Sequence, residues 1–293
     1  MNVRDIIRKR FPDLSPTLQN AARYVLEHPN EVVIASMRAL AVKAEVPPAT
    51  LVRFAQQLGF AGWPQLKDAF TLELGLGSDQ YGQRARNLVG RGTDDALTGE
   101  MFKVQRRNLD LTEAQNARSL RRAAKLLERG KAVHVAGFRA SFAIAFSLVY
   151  EYRLFRNSVH LVDGQGGSLE MQLRAVEKAD VVVVISFAPY SREAELVAHV
   201  AREAGCKLIA FTDSVASPLS LVADETLLFA VSSPSFFPSI AAGLALAEAL
   251  LELLVSQAGS PVVERIGRAE NQLFETGAYL QRPSARQPAP KSS

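Results

Sequence analysis

The chain has 293 residues, of which 48% are hydrophobic and 22% are charged. This length suits two domains of ordinary size, and the hydrophobic content is enough to bury a core in each, so the composition is that of a globular protein. The formal net charge of +4 divides into +6 over residues 1–130, −5 over residues 131–280 and +3 over the last 13. A basic part joined to an acidic one suits a polyanion-binding module attached to a different kind of domain, although ordinary charge scatter also explains so modest an excess.

A single cysteine, Cys206, excludes a disulfide framework and a cysteine-based metal site, and it fits a reducing cytoplasm. The first ten residues are charged every few positions and lack the apolar region of a signal peptide. The most apolar stretch, residues 240–255, is interrupted by Glu248 and Glu252 and is too short to span a bilayer. We therefore expect a cytoplasmic protein without a membrane partner, in which this stretch is a buried helix.

Residues 1–77 are predicted to form a helical bundle. Helices are expected over residues 3–10, from a Ser15-Pro16 start to residue 27, and from Trp63-Pro64 to about residue 74. The stretch between them is the most informative in the chain, because it encodes two short helices separated by a tight break.

Residues 37–44 are rich in alanine and carry apolar residues at helical spacing, residues 45–47 break that helix, and Pro48 suits the first position of the next helix, where a missing N–H costs nothing. The second helix is expected to bury one stripe, formed by Leu51, Phe54, Ala55 and Leu58. Two short helices joined in this way have the geometry of a helix-turn-helix.

The opposite side of the second helix is a candidate DNA-reading face. At 100° per residue it consists of Ala49, Thr50, Arg53, Gln56 and Gln57. Threonine hydroxyls, glutamine amides and an arginine can each reach base edges or phosphates in a major groove. On helical spacing alone, an αα-hairpin whose polar face meets solvent explains the pattern equally well.

Residues 37–67 resemble the RpiR-type helix-turn-helix. The matching positions are Val46 to Phe54, Gln57 to Phe60, Gly62, Trp63, Leu66 and Lys67. This family, also called MurR/RpiR, joins such a domain to a sugar isomerase (SIS) domain. The resemblance implies a transcriptional regulator, typically a repressor, that binds a double-stranded DNA operator, and it adds Lys67 to the candidate DNA-binding residues.

One departure from the family concerns the start of the recognition helix. Family members usually carry serine at its N-cap, whereas this chain has Pro47, which offers neither a side-chain oxygen nor an N–H. Losing an N-cap costs about 1 kcal/mol. The fold should survive this loss, but operator affinity or register is expected to differ from that of the relatives.

Glycines mark a change of composition around residues 75–82 and 90–92, and we interpret residues 78–114 as a linker and connector helix. From residue 131, strands alternate with helices. Strands are expected over residues 132–136, 159–162, 181–186, 207–212 and 226–229, with helices over 141–155, 191–204 and 239–258. This alternation predicts an α/β, flavodoxin-like domain with a doubly wound parallel sheet over residues 115–280, followed by a disordered tail over 281–293.

Two loops of this second domain are candidate anion sites, because each follows a strand and opens a helix. In a doubly wound sheet the loops lie at neighbouring carboxyl ends of strands, where such folds bind ligands. Each loop alone is a weak signal. The candidate ligand-binding residues are Gly137, Arg139, Ser141, Ser186, Tyr190, Ser191 and Arg192.

Together with Ala179-Asp180 and the runs at residues 212–214 and 217–224, these loops resemble a SIS domain over about residues 115–260, which implies binding of phosphosugars. Arg139 replaces the usual glycine, and residues 188–192 replace the usual Ser-Gly-x-Thr. Since arginine binds phosphate or carboxylate bidentately, a small anionic effector, a sugar phosphate or a sugar acid, is expected. Glu193 is the only carboxylate next to the two loops and the only group expected to neutralise Arg139, so the empty site should be electrostatically unsatisfied; alternatively, Arg139 pairs with a carboxylate of its own or a neighbouring subunit.

An isomerase would need a general acid or base over the sugar carbons. His134 and His160 lie within predicted strands and suit satisfied core positions, while His199 falls in mid-helix. No convincing catalytic set emerges, and neither a cofactor nor a metal site is expected. The alternatives are a SIS-type aldose–ketose phosphate isomerase with a helical appendage, and a purely structural phosphosugar-binding scaffold.

A homodimer or homotetramer is expected because residues 240–255 are apolar nearly all round, and a single subunit would struggle to cover them.

Overall fold

The computed structural model describes residues 3–73, 80–91 and 95–280. The predicted disordered tail, residues 281–293, lies outside these residues, as does most of the first glycine-rich stretch.

The N-terminal part is a bundle of short helices around its own apolar core. The helices are α1 (Val3–Arg10), α2 (Pro16–Glu27), α3 (Pro29–Ile34), α4 (Met37–Lys43), α5 (Pro48–Gln57) and α6 (Trp63–Glu73). Phe54, Leu66 and Phe70 are fully buried at its centre. The sequence predicted all of these helices except α3. Pro29 gives a stop signal for α2, but it also occupies the first turn of α3.

A partly buried ion pair holds three of these helices together. Glu31 of α3 accepts hydrogen bonds at Oε2 from the Tyr24 hydroxyl of α2 (2.7 Å) and from Nζ of Lys43 at the end of α4 (2.9 Å). Burial alone would raise the pKa of the Glu31 carboxyl, but the hydrogen bonds from Lys43 and Tyr24 outweigh burial and lower the pKa below its ordinary value. Glu31 is therefore charged at neutral pH and fixes the first helix of the helix-turn-helix to the bundle.

Three helices connect the bundle to the second core: α7 (Gln80–Arg91), α8 (Asp95–Asn116) and α9 (Ser119–Arg129). The predicted linker is thus partly helical, with Gly82 of the first glycine-rich stretch and Gly90 of the second inside α7. The ring of Tyr81 in α7 lies 4.9 Å from that of Phe237, so this helix contacts the second domain.

The second domain is built on five parallel strands in the order β2-β1-β3-β4-β5, which confirms the predicted doubly wound α/β fold. The strands are β1 (Val133–Gly137), β2 (Val159–Val162), β3 (Val181–Ile185), β4 (Lys207–Thr212) and β5 (Glu225–Leu228). Every residue of β1 and β3 is buried. Continuous apolar strands of this kind require helices on both faces of the sheet.

The covering helices are α10 (Phe142–Tyr152), α11 (Leu169–Arg174), α12 (Arg192–Glu203), α13 (Ala241–Ala258) and α14 (Ser260–Glu275). One core packs α9, α10 and α13 against the sheet, and the other packs α11 and α12 against the opposite face. The sequence analysis did not predict α11 or α14.

Side chains of α8 satisfy the free edge of the sheet. The amide of Asn116 bonds to both the N–H (3.0 Å) and the carbonyl (2.7 Å) of Leu228. The Thr112 hydroxyl accepts from the N–H of Ala230 (3.0 Å), and Nδ2 of Asn108 donates to the carbonyl of Ser232 (2.7 Å). This α8–β5 ladder, defined by Asn108, Thr112 and Asn116, joins the connector helix to β5 and to the segment that follows it.

Helix α13 is the one helix among the described residues that is long and apolar enough to cross a membrane by length and composition. Here it packs against α8, α9 and α10, and Glu248 and Glu252 are on its exposed face. None of its large apolar side chains is exposed. The expectation that a single subunit could not cover this helix is therefore wrong, because the three neighbouring helices cover it.

Substitution Glu31→Ala should destabilise the bundle by about 1.5–3 kcal/mol, the range for hydrogen bonds to a charged group, because Tyr24 and Lys43 lose their acceptor. A carboxyl whose folded pKa is lowered stabilises the fold above its unfolded pKa of about 4.3, and that stability is lost as pH falls through the folded pKa. Wild type should therefore lose more stability than Glu31→Ala between pH 7 and pH 3. Urea unfolding at both pH values measures this, with the exposed Glu27→Ala as control; equal losses in wild type and Glu31→Ala would contradict it.

Candidate nucleic-acid interface and anion site

The turn between α4 and α5 is short and well defined. Glu45 adopts a left-handed conformation (φ 52°), and the N–H of Val46 donates to the carbonyl of Ala41 (3.0 Å). The side chain of Val46 is buried between the helices. At the start of α4, the Ser36 hydroxyl accepts from the N–H of Ala39 (3.2 Å). Both helices are thus fixed relative to each other, as a helix-turn-helix requires.

The recognition helix α5 begins without a side-chain cap. Pro47 occupies the N-cap and Pro48 the first helical position, and only the backbone carbonyl of Pro47 accepts a hydrogen bond, from the N–H of Thr50 (2.8 Å). The proline departure noted in the sequence therefore leaves the helix fold intact.

The exposed side of α5 carries the residues that the sequence placed there. Leu51, Phe54 and Ala55 are buried on the opposite side. Four of the predicted DNA-binding residues, Thr50, Arg53, Gln56 and Gln57, line one concavity of about 560 Å³, and Ala49 is exposed on the same helix.

The first turn of α2 forms the other wall of this concavity through Ser15 and Thr17. Sequence analysis identified Ser15 only as a helix start and did not connect it with the recognition helix. Hydroxyl groups at a helix N-terminus are suitable partners for a DNA phosphate.

Lys67 is the predicted DNA-binding residue that the structure does not place on this concavity. Its Nζ donates to the backbone carbonyl of Ala35 (3.1 Å), just before α4, and its side chain is half-buried. The amine therefore holds α6 against the start of the helix-turn-helix.

The two predicted ligand loops lie side by side. In the sheet, β1 pairs with β2 on one side and with β3 on the other, and Gly137 is in register with Ile185. The loops after β1 and β3 therefore leave the carboxyl edge of the sheet next to each other. Doubly wound folds form a ligand crevice at this position.

The loop after β1 needs glycine at position 137, because a Cβ there would lie 2.6 Å from the carbonyl oxygen of Ser141. This close approach brings the start of α10 against the strand end. Ser141 is buried, with 5% of the residue exposed, and its hydroxyl forms no hydrogen bond with another described residue. This hydroxyl is therefore a candidate ligand contact at the β1–β3 crevice.

Arg139 has a left-handed backbone (φ 53°), which explains why a glycine is usual at this position. Its Nη1 donates to Oε2 of Glu193 in the first turn of α12 (2.7 Å). The Arg139 guanidinium holds the pKa of the Glu193 carboxyl below its ordinary value. The expectation of an unsatisfied charge on Arg139 is therefore wrong, and the alternative of an ion pair within the subunit is the one observed.

The loop after β3 is anchored by its own polar groups. The Ser186 hydroxyl accepts from the N–H of Ser191 (3.3 Å), and the Ser191 hydroxyl caps α12 by accepting from the N–H of Ala194 (3.2 Å). The Tyr190 hydroxyl donates to Oδ1 of Asp213 at the end of β4 (2.9 Å). Burial raises the pKa of the Asp213 carboxyl. Tyr190, a predicted ligand residue, thus positions the loop.

Arg192, the remaining predicted residue of this loop, is exposed at the start of α12.

The histidines lie elsewhere. His134 is buried near the start of β1 and its Nε2 is 3.1 Å from Oδ2 of Asp180, which precedes β3, so this pair is at the amino edge of the sheet. His160 was expected in a core position but is exposed on the edge strand β2. His199 is exposed on α12 and lies 3.2 Å from Glu203. None of these imidazoles lies at the β1–β3 crevice, so none of them can serve there as the general acid or base that an isomerase needs.

Comparison with known proteins agrees with both parts of the chain. Residues 1–75 match the helix-turn-helix domain of the rpiR family, and residues 126–253 match the SIS domain. The chain is 29% identical over 222 residues to the HTH-type transcriptional regulator HexR of Pseudomonas aeruginosa, a match that covers 75% of each chain.

Two solved structures share the fold. The Vibrio vulnificus NanR protein complexed with ManNAc-6P is 19% identical with a TM-score of 0.58, over 95% of this chain and 100% of that one. The sugar isomerase domain of an RpiR transcription factor from Sphaerobacter thermophilus is 23% identical with a TM-score of 0.57, over 61% of this chain and 98% of that one.

The HexR match spans most of both chains and is to a regulator, not to an enzyme. Taken with the two domain matches and the exposed recognition helix, it identifies the chain as a member of the RpiR family of DNA-binding transcriptional regulators, in which a helix-turn-helix domain precedes a SIS domain.

Proposed function

We propose that this regulator acts in the cytoplasm, that its SIS domain binds a sugar phosphate or a sugar acid at the β1–β3 crevice, and that the bound ligand changes its affinity for operator DNA. The observation that carries the proposal is the convergence of two helix-opening loops at the point where the strand order reverses. The similar fold of NanR, complexed with ManNAc-6P, supports a phosphorylated ligand.

The polar groups at the crevice suit one anion. The Ser141 hydroxyl forms no hydrogen bond within the described part of the chain, and the N-terminus of α12 with Arg192 adds positive potential. Arg139 can join them only by leaving Glu193. Since an exposed ion pair contributes only about 0.2–1 kcal/mol, a phosphate or carboxylate that arginine binds bidentately can replace Glu193 at small cost.

A physical connection to the DNA-binding part is present in the α8–β5 ladder. The segment after β5 leaves the sheet at the same carboxyl edge as the two ligand loops, because all strands are parallel. Its backbone is bonded to α8, and its Phe237 contacts Tyr81 of α7. A ligand that binds more tightly to one position of this segment than to another would shift the helices that lead to the DNA-binding domain. Such a difference in affinity between two states is what allostery requires.

We further propose a homodimer or homotetramer, supported by an aromatic row along α10. Phe142, Phe146 and Tyr150 stack at 5.8 and 6.3 Å between ring centroids, and Phe146 and Tyr150 are about half exposed. An exposed aromatic row suits contact with a second copy. A two-fold dimer would bind palindromic half-sites, and light scattering measures the assembly directly.

Substitution Arg53→Ala should weaken DNA binding without unfolding the bundle, because Arg53 lies on the exposed face of α5. If Arg53 contacts a phosphate, DNA affinity falls equally for all sequences, and the slope of log affinity against log salt concentration falls by roughly one. If Arg53 reads a guanine, discrimination against other bases at that position falls by about 1–3 kcal/mol. Gel shifts at two salt concentrations, with fragments that wild type selects from genomic DNA, decide between these two kinds of contact. Arg174→Ala on α11 is the control variant. Unchanged binding by Arg53→Ala would remove it from the interface.

Two substitutions test the crevice in opposite directions. Arg139→Ala should abolish ligand-induced changes in DNA binding while leaving DNA affinity without ligand near wild type. Glu193→Gln should instead raise ligand affinity severalfold, because the competing carboxylate is removed. Calorimetric titration with a panel of phosphosugars and sugar acids measures both. Equal binding to wild type and both variants would leave Arg139 as a structural ion-pair residue, and no binding to wild type would contradict the proposed effector class.

A further inference from the structure

A large cavity lies at the opposite edge of the sheet from the crevice. It encloses about 840 Å³ between the loop at residues 153–158, which joins α10 to β2, and the helices α13 and α14. Because this loop precedes β2, the cavity is at the amino edge of the strands. It shares no lining residue with the proposed effector site.

The cavity is strongly cationic. Four guanidinium groups line it, those of Arg153, Arg156, Arg265 and Arg268, while Glu128 is its one lining carboxylate. Within the described part of the chain, none of the four arginines forms an ion pair with a carboxylate. Four guanidinium groups without an ion pair at one concavity concentrate positive potential there, which favours an anionic ligand.

Neutral acceptors hold these arginines in place. Nε of Arg153 donates to the carbonyl of Val159 (2.7 Å), and Nη1 of Arg265 donates to the carbonyl of Phe155 (3.2 Å). Arg268 forms no hydrogen bond with a described residue. Most N–H donors of these three exposed guanidinium groups are therefore available on the wall of this open cavity.

Arg156 differs from the other three. Its guanidinium bonds to the carbonyls of Leu127 (2.6 Å) and Gly130, to the Tyr152 hydroxyl (3.1 Å) and to the Ser158 hydroxyl (3.1 Å). It fixes the loop to the end of α9, which is a structural role. This structural role does not explain Arg153, Arg265 and Arg268, because each of them forms at most one hydrogen bond with a described residue.

We propose that this cavity binds an organic diphosphate. Guanidinium groups bind phosphate oxygens bidentately. A single phosphate ester carries at most about two negative charges, which leaves the lining arginines unbalanced, whereas two adjacent phosphates balance them. The volume lies in the range of about 300–1,000 Å³ that small-molecule sites occupy, and it exceeds what a diphosphate fills. The apolar side chains of Leu254 and Val262 line the remaining space and suit the organic part of the ligand.

Calorimetric titration of the full chain with inorganic pyrophosphate and with ADP tests the proposal, with sulfate at equal ionic strength as the reference anion. Saturable binding of one diphosphate per chain, at least tenfold tighter than sulfate, is expected. Arg268→Ala should weaken it about tenfold or more, because the variant loses a charge-assisted hydrogen bond to a phosphate oxygen. Arg268 is exposed and forms no hydrogen bond with the described residues, so this variant should melt like wild type; Arg265→Ala is the second variant.

Two controls separate this cavity from the crevice. Arg174→Ala, an exposed arginine on α11, and Ser141→Ala at the crevice should both bind diphosphate as wild type does. No saturable binding at millimolar concentrations, binding no tighter than sulfate, or binding lost in Ser141→Ala and kept in Arg268→Ala would each overturn the proposal. A crevice that binds no phosphosugar would contradict the proposed effector, but it would not change the diphosphate binding expected at the cationic cavity.

Discussion

Because β1 pairs with β3 on one side and with β2 on the other, the loops after β1 and β3 leave the sheet as neighbours. All ten residues of these two strands are buried, so their pairing is supported by packing on both faces of the sheet. Gly137 allows α10 to approach the end of β1, and Asp213 at the end of β4 anchors the loop after β3. The crevice is therefore a consequence of strand order.

The outer edge of the same sheet joins the α/β domain to its connector helix α8. An exposed parallel edge would leave backbone groups unpaired, and α8 pairs them with side chains instead. The amide of Asn108 donates to the carbonyl of Ser232, while its buried Oδ1 has no partner among the described residues. This makes Asn108 the least satisfied position of the α8–β5 ladder. The ladder thus links the connector helix more firmly to β5 itself than to the segment beyond it.

The sequence predicted the features that depend on residues close together in the chain. The apolar run of β3 and the helical spacing of Leu51, Phe54 and Ala55 each allow one structure, and both are confirmed. Local signals failed where one residue type has two uses: Pro29 both ends α2 and starts α3, and Gly82 lies within a helix although glycines marked a linker.

Features that depend on distant parts of the chain could not be predicted from sequence. Arg139 and Glu193 are 54 residues apart, and only the pairing of β1 with β3 brings them together. The cationic cavity combines Arg153 with Arg265 and Arg268, which come from α14, a helix that sequence analysis missed. In both cases the physical reason is tertiary packing, which spacing along the chain does not encode.

The most direct test of the account is a crystal structure of the protein grown with the phosphosugar that raises its melting temperature most. We expect the phosphate at the β1–β3 crevice, within hydrogen-bonding distance of the Ser141 hydroxyl and the first turn of α12, with Arg139 turned from Glu193 towards the ligand. A phosphosugar bound elsewhere, or a crevice occupied with no polar contact to either loop, would contradict the claim that this site senses the effector.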